Sequence, residues 1–319
     1  MFKKKILKIG GGVLFAFLGG SYLIVHFGGF VLPSSKKTTI IPLHPIKSSS
    51  VGVYVINLDA SKARWNQIQK HLSRFSFSVH RVSGINGKIY PKLRYDGRIV
   101  SLEKYRQYLK GKEPGLGEIG CYLSHRKALI RFLRSKFEFA IIVEDDVSFK
   151  PVFSKIIDAL VVCKKKWDLC SFELHPLQSG WPISVQSFSF GPHLCVYLKE
   201  SWRAGAYLIN RWAARRLLEK SLPMCLPWDM YYMRFWEFKD PLGKTMKFMG
   251  IEPRCVFQTF GDSDIEQAGP RQITHPHKQL NKYRWTGRYF SLCSHLSRFL
   301  YGLSTWWKVF WTRNEIKKR

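Results

Sequence analysis

Ala140-Ile-Ile-Val-Glu-Asp-Asp-Val-Ser-Phe-Lys150 decides how this chain folds. Ala140–Val143 is apolar and β-branched, which reads as a buried strand of an α/β sheet. Three acids end it: Glu144, Asp145 and Asp146. Carboxylates at the C-terminal end of such a strand face the crevice where α/β sheets bind ligands. The chain carries a formal charge of +30, so three adjacent acids there point to a divalent cation. Mg²⁺ or Mn²⁺ takes one or two carboxylates and leaves its other positions to water and phosphate. The plainer alternative is that the acids cap a following helix.

Upstream, Val51-Gly-Val-Tyr-Val-Ile-Asn-Leu-Asp59 reads as a strand, and Asp59 or Ser61 then starts a helix to about Phe75. A second strand, Phe77–Val82, ends in the turn Ser83-Gly-Ile-Asn-Gly87. Strand, helix and strand open a βαβ unit. Its carboxyl edge offers Asn57, Asp59 and Arg64 to a base, ribose or phosphate; the alternatives are a helix cap at Asp59 and a solvated Arg64. Tyr90–Glu113 is irregular with one short helix. Beyond Gly115-Leu-Gly-Glu-Ile-Gly-Cys-Tyr-Leu-Ser-His-Arg126 comes a helical run, Lys127–Lys136. On a helix Tyr122, His125, Leu129, Phe132 and Leu133 share one face, so His125 points inward, either as a core residue or as part of a site.

Together these strings resemble glycosyltransferase family 25, the lipooligosaccharide and lipopolysaccharide galactosyltransferases with their collagen-galactosyltransferase relatives. The resemblance rests on Val55-Ile-Asn-Leu-Asp59 with Arg64, Gly117–His125, Ile142–Val147, Gly205–Leu218, Pro227-Trp-Asp229, and Pro253–Gln258 followed by Ser263-Asp-Ile265. It runs from about Val51 to Ile265 and says nothing of either end of the chain. It implies a GT-A-like, Rossmann-type nucleotide-sugar-binding domain, a UDP-sugar donor, Mn²⁺ or Mg²⁺, and inversion at the sugar carbon. The family's acidic metal motif falls on Glu144-Asp145-Asp146, with Asp146 the first choice of ligand and Glu144 the second. Asn57, Asp59, Arg64, Glu144 and Asp145 are then expected around the nucleotide, with Arg203 a further phosphate or uracil contact.

In the second half, helix is expected over Pro151–Lys165, strand over Asp168–Leu174, and loop over His175–Gly191, where Trp181 is either a sugar platform or a buried anchor. Strands follow at Cys195–Leu198 and Ala204–Ile209, then a helix, Arg211–Lys220, capped by Asn210. A further helix is expected over Met230–Phe238. Asp229 stands beside Trp228 at its start, placed to take a proton from an acceptor hydroxyl or simply to cap that helix. Asp229 and His125 are the catalytic expectation, with Glu173 and Asp264 in reserve for the base.

The ends suggest a membrane. Ile9–Leu32 has no Lys, Arg, Asp or Glu, follows a lysine-rich start, and is long enough to span a bilayer as an uncleaved anchor. Its glycines and His26 weaken it as a helix, and lysines on both flanks leave its orientation open. The organisation expected is an anchor over 1–32, a linker over 33–50, a transferase domain over 51–270 and a basic aromatic membrane-associating tail over 271–319. That tail holds eleven Lys and Arg against one acid, Glu315, interleaved with Trp and Phe. Nucleic acid is the weaker partner, since no nucleic-acid motif is present. The expected partners are a UDP-hexose donor, a glycan or lipid-linked glycan acceptor, and a membrane: the cytoplasmic face of a bacterial inner membrane, or a Golgi or ER lumen in a eukaryote. The rival function is a non-catalytic, membrane-anchored basic binding protein on the same fold. Seven scattered cysteines with no zinc spacing read as free thiols.

Overall fold

The structure is a computed structural model that describes residues 50–174, 181–198, 203–259 and 277–317, together with a two-residue strand pair, Lys8–Ile9 with Gly12–Val13. Apart from that pair and Ser50, the expected anchor and linker lie outside the described residues, and so does Asp264. Among the described residues no helix is long and apolar enough to cross a membrane.

A mixed eight-stranded sheet organises the chain. In sequence order its strands are β1 (Val51–Asn57), β2 (Ser78–Ser83), β3 (Phe139–Glu144), β5 (Leu169–Ser171), β6 (Pro182–Ser187), β7 (His193–Tyr197), β8 (Ala206–Asn210) and β9 (Phe248–Glu252). Across the sheet the order is β2-β1-β3-β8-β5-β9-β7-β6. β1 runs parallel to both β2 and β3, whereas β8 lies antiparallel between β3 and β5. The remaining strands, β4 (Val147–Phe149) and β10 (Val256–Gln258), form a separate antiparallel pair.

Side-chain alternation fills both faces. Tyr54, Ile142, Tyr207 and Ile209 face α3 (Leu116–Leu133), α5 (Arg211–Glu219) and α6 (Trp228–Tyr232). Val53, Val55, Ile141, Val143 and Leu208 face α1 (Lys62–Leu72) and α4 (Phe153–Val162). β1 and β3 are therefore apolar on both sides, which explains why they read as unbroken runs rather than as alternating ones.

α3 begins at Leu116, so it takes in the glycine-rich string ahead of the expected helical run. Gly120 is required there: a Cβ would collide with the Ile85 carbonyl oxygen and approach the Gly87 amide nitrogen to 2.8 Å. The start of α3 thus crosses the turn after β2 backbone to backbone. Two expectations are corrected. Part of the expected His175–Gly191 loop is the edge strand β6, with its proline at the first position, where no ladder donor is lost. The expected helix Met230–Phe238 is two pieces, α6 ending at Tyr232 and a 3₁₀ turn over Phe235–Glu237.

The C-terminal segment forms one helix, α7 (His277–Lys317), which packs against α2 (Leu102–Tyr108), β6 and β7. All seven cysteines are free; Cys170, Cys195 and Cys255 are buried.

Candidate active site

After β1 the chain turns to β2 on one side, and it later returns to place β3 on the other. Reversals of this kind, at the carboxyl ends of β1 and β3, are where open α/β sheets form a ligand-binding crevice. Asn57 ends β1 and Glu144 ends β3, so both border it. The element after the acids is strand β4, not a helix, so they cap nothing.

Asn57 is 1% exposed and ties the edge together. Its amide nitrogen donates to Asp145 Oδ2 at 2.6 Å and to the Ser61 carbonyl at 3.0 Å, and its oxygen accepts from Arg81 Nε at 2.9 Å and Nη2 at 2.7 Å. Arg64, on α1, lies 3.6 Å from Asp145 Oδ1 and is therefore directed at the acids rather than simply solvated. Asp59 stands apart: it is exposed, pairs with Arg81 at 2.9 Å and accepts from Ser83 Oγ at 2.7 Å. Those contacts hold its carboxyl below the usual range, and it caps no helix, since Ser61 occupies that position.

His125 is wholly buried behind the crevice. Its Nε2 meets Glu144 Oε1 at 3.1 Å, its Nδ1 meets the Tyr207 hydroxyl at 3.2 Å, and its ring lies on Trp228 with centroids 5.3 Å apart. Trp228 Nε1 in turn donates to the Tyr207 oxygen at 3.3 Å. With Glu144 ionised, one set of hydrogens satisfies this chain. Trp228 donates to Tyr207, Tyr207 to His125 Nδ1, and His125 Nε2–H to Glu144. Burial lowers the imidazole pKa to about 3, so the ring stays neutral. His125 orients Glu144 and does not reach solvent, which makes it a positioning residue. Cys121, His125 and Glu144 could together offer a sulfur, a nitrogen and an oxygen to a metal. Burial and the adjoining carboxylates raise the Cys121 thiol well above its normal value, however, and both imidazole nitrogens already have partners. That trio is better described as hydrogen bonded than as a metal centre.

The stronger candidate to hold a cation is one step further along. Asp146 Oδ2 accepts from Gln258 Nε2 at 2.9 Å, and Glu173 Oε1 accepts from the Gln258 backbone amide at 3.2 Å and from Arg203 Nη1 at 2.7 Å. Gln258 on β10 thus clasps two acids at once. The opposite oxygens, Asp146 Oδ1 and Glu173 Oε2, are buried with no hydrogen-bond partner among the described residues. A buried carboxylate oxygen without a donor is costly, and hard divalent cations take such oxygens. Gly205 leaves the room, since a Cβ there would run into Glu173 Oε2. Arg203 adopts a φ of 112°, strained for a side-chain-bearing residue, while pairing with Glu173 and accepting from the Tyr232 hydroxyl at 2.6 Å.

Burial and mutual repulsion raise these acids. Burial chiefly, then Asp145 and Asp229, brings Glu144 to about 7. Burial and Glu144 bring Asp146 to about 6, and burial brings Glu173 to about 7 against the pull of Arg203. Asp229 belongs to the same field, since it raises both Glu144 and His125. It lies in the first turn of α6, where its Oδ1 accepts from the Met230 amide at 2.8 Å; Pro227, not Asp229, holds the cap position. A small cavity lined by Leu226, Met230, Met233 and Phe290 sits beneath α7 and contains none of these acids.

The structure therefore gathers Asn57, Arg64, His125, Glu144, Asp145, Asp146 and Asp229, and leaves Asp59 beside them on the rim. Glu173, expected only as a reserve base, stands beside Asp146 at the centre of the cluster, and Gln258, Cys121 and Tyr207 join it with no local sequence signal of a site role. Gln258 was visible only as part of a quoted string, because its partners lie 85 and 112 residues away.

Comparison with known proteins gives the chain a family. The profile of the family described as "Glycosyltransferase family 25 (LPS biosynthesis protein)" matches residues 51–232. A glycosyltransferase 25 family member of Anopheles gambiae is 27% identical over 216 residues, covering 66% of this chain and 36% of its own. Human procollagen galactosyltransferase 2 is 26% identical over 246 residues, 70% of this chain and 38% of its own. Mouse inactive glycosyltransferase 25 family member 3 is 25% identical over 255 residues, 73% and 41%. The chain spans about two-fifths of the length of these relatives or less.

Proposed function

Because the matched profile takes in more than half of it, the chain belongs to glycosyltransferase family 25, and on that premise we propose that it transfers a hexose, galactose first among the candidates, from a UDP-sugar to a hydroxyl of a glycan. Lipooligosaccharide or lipopolysaccharide is the acceptor class and inversion the stereochemical outcome in this reading, on a GT-A-like domain. The observation that carries it is the convergence of Asn57, Arg64 and Asp145 with the raised acids Glu144, Asp146 and Glu173 at the β1/β3 reversal. A ligand there would meet the Arg64 guanidinium beside a carboxylate pair suited to Mn²⁺ or Mg²⁺, on an edge that Asn57 holds in place.

Asp146 and Glu173 would hold the cation through Oδ1 and Oε2, with Gln258 fixing both side chains and Glu144 adding charge nearby. When bound, such an ion offsets the negative charge that gathers on a departing diphosphate. Asp229 takes the proton of the acceptor hydroxyl as that oxygen bonds to the sugar carbon. The bond from that carbon to the phosphate oxygen breaks, and its electron pair leaves with UDP. Arg64 and Arg203 bring positive charge to the diphosphate side, and His125 keeps Glu144 in place.

Turnover of a panel of UDP-sugars by the full chain, with and without Mn²⁺ or Mg²⁺, tests this reading. Metal-dependent release of UDP that disappears in Asp146→Ala is the expected result; release indifferent to both would refute it. A second reading, a catalytically silent glycan-binding member of the same family, is supported by the relative named inactive. Retained UDP-sugar binding with no turnover of any donor would favour it.

A further inference from the structure

We propose that the outward face of α7 docks this protein onto an anionic lipid surface while its inward face stays locked to the catalytic domain. The inward face belongs to the domain core. Tyr283 donates to Glu103 at 2.8 Å, Phe290 stacks on Tyr108 with centroids 3.9 Å apart, and Tyr301 packs edge-on against Phe235 at 4.5 Å. Gly287 lets the helix close on α2, since a Cβ there would sit 2.6 Å from Lys110 Cγ. Arg298, 1% exposed, donates to the Met233 carbonyl at 2.8 Å. These contacts fix which way the opposite face points.

The outward face repeats at helical spacing. Trp285, Tyr289, Leu292, Leu296, Leu300 and Leu303 stay within about 60° of one line at roughly 100° per residue, directly opposite Tyr283, Phe290 and Arg298. Trp285 and Tyr289 are each 71% exposed, Leu292 56% and Leu296 54%. A stripe of large apolar side chains this exposed marks an interaction surface.

Charge selects its occupant. Lys282 and Arg288 lie on the two borders of the stripe, both exposed, and no Asp or Glu occurs between His277 and Asn314. A second copy of α7 laid along the stripe would bring cations such as Lys282 and Arg288 against its own basic face, with no acid between His277 and Asn314 to offset them, the reverse of what paired helices use. Anionic headgroups complement those cations, leucines can enter the acyl boundary, and Trp and Tyr suit the headgroup level.

This inference does not depend on the transferase reading. Full-length protein is floated with vesicles of phosphatidylcholine, alone or mixed with phosphatidylglycerol. Alongside it run Trp285→Ser/Leu292→Ser/Leu296→Ser and, as an independent test should that variant misfold, Lys282→Gln/Arg288→Gln. The natural chain binds the anionic vesicles. The apolar variant binds them at least about tenfold more weakly, because it removes buried apolar area. The charge variant loses on the order of thirtyfold on anionic vesicles and little on neutral ones, as expected for two basic residues near such a surface. The proposal is overturned if the natural chain stays in solution, if both variants float as well as it does, or if the stripe substitutions instead turn a vesicle-free dimer into a monomer. Donor turnover without vesicles is read on the same samples: its absence in the natural chain alone counts against the transferase, and failure of the natural chain to float alone counts against docking.

Discussion

Asp146→Asn removes the charge from the carboxyl with a stranded oxygen while keeping its shape, and it should stabilise the metal-free protein. Asp146 is raised from 3.8 to about 6 by burial and by Glu144. A carboxyl raised on folding costs nothing below its unfolded pKa, and its full cost is present above its folded one. The penalty therefore grows between about pH 4 and pH 6 and stays at higher pH. Two pKa units correspond to about 3 kcal/mol, and sharing the repulsion with Glu144 and Glu173 brings the recoverable part to roughly half. At 2–4 °C per kcal/mol for a domain of this size, the metal-free variant should melt roughly 3–6 °C higher at pH 7.5, with the gain vanishing near pH 4. Saturating Mn²⁺, at about a hundred times its Kd, should add about 2.7 kcal/mol to the natural chain and little to the variant. Thermal melts at both pH values, with and without Mn²⁺, decide the matter. A variant no more stable than the natural chain at pH 7.5, or one that keeps the full Mn²⁺ shift, would refute the assignment of Asp146 to a cation.

Glu144 and Glu173 both sit near 7, so acidification protonates the cluster. Mn²⁺ affinity by calorimetry should rise by about tenfold or more between pH 6 and pH 8, because the bound cation releases protons. Asp229→Asn should lower turnover by about 10²–10⁴ with the donor KM changed only a few-fold, measured by steady-state UDP release. His125→Phe keeps a ring on Trp228 but removes both nitrogens from Tyr207 and Glu144; urea unfolding should show a loss of roughly 2–4 kcal/mol. Gly120→Ala forces a methyl group into the Ile85 carbonyl and should cost about 1–3 kcal/mol by the same measurement.

What the sequence revealed follows the range of each signal. β1 and β3 were legible because strands buried on both faces are apolar throughout, and Asn210 was legible as a cap because its oxygen accepts from Ala213, three residues on. The start of α3 was not, because glycines in a helix oppose local propensity; the reason for Gly120 lies in Ile85, across the fold. β6 was hidden by an edge strand's short, irregular register, which shifts between Ser184 and Gln186. In the site, the acids announced themselves as neighbours in sequence. The partition of their roles did not, since it depends on Gln258, Arg203 and Tyr207, which reach them from distant strands and loops. α7 shows the same limit: its basic and aromatic composition was plain, but only tertiary contacts separate the half that belongs to the core from the half that faces outward.

The charge of the site does not follow from the charge of the chain. A formal +30 spread over 319 residues contributes little across more than about 8–10 Å of saline, so remote lysines cannot neutralise a half-buried cluster. Within reach are Glu144, Asp145, Asp146, Glu173 and Asp229. Among the described residues Arg64 pairs with Asp145 and Arg203 with Glu173. Burial and mutual repulsion hold Glu144, Asp146 and Glu173 above the usual carboxylate range, and under the proposed reading a bound cation would relieve the same repulsion. Protonation forfeits the charge, and a cation uses it. A phosphate group brought to the same edge would be repelled in the first state and bridged in the second. Under the proposed reading, the raised acids, the stranded oxygens of Asp146 and Glu173 and the Arg64 guanidinium make a site that positive charge and an anionic ligand would complete together.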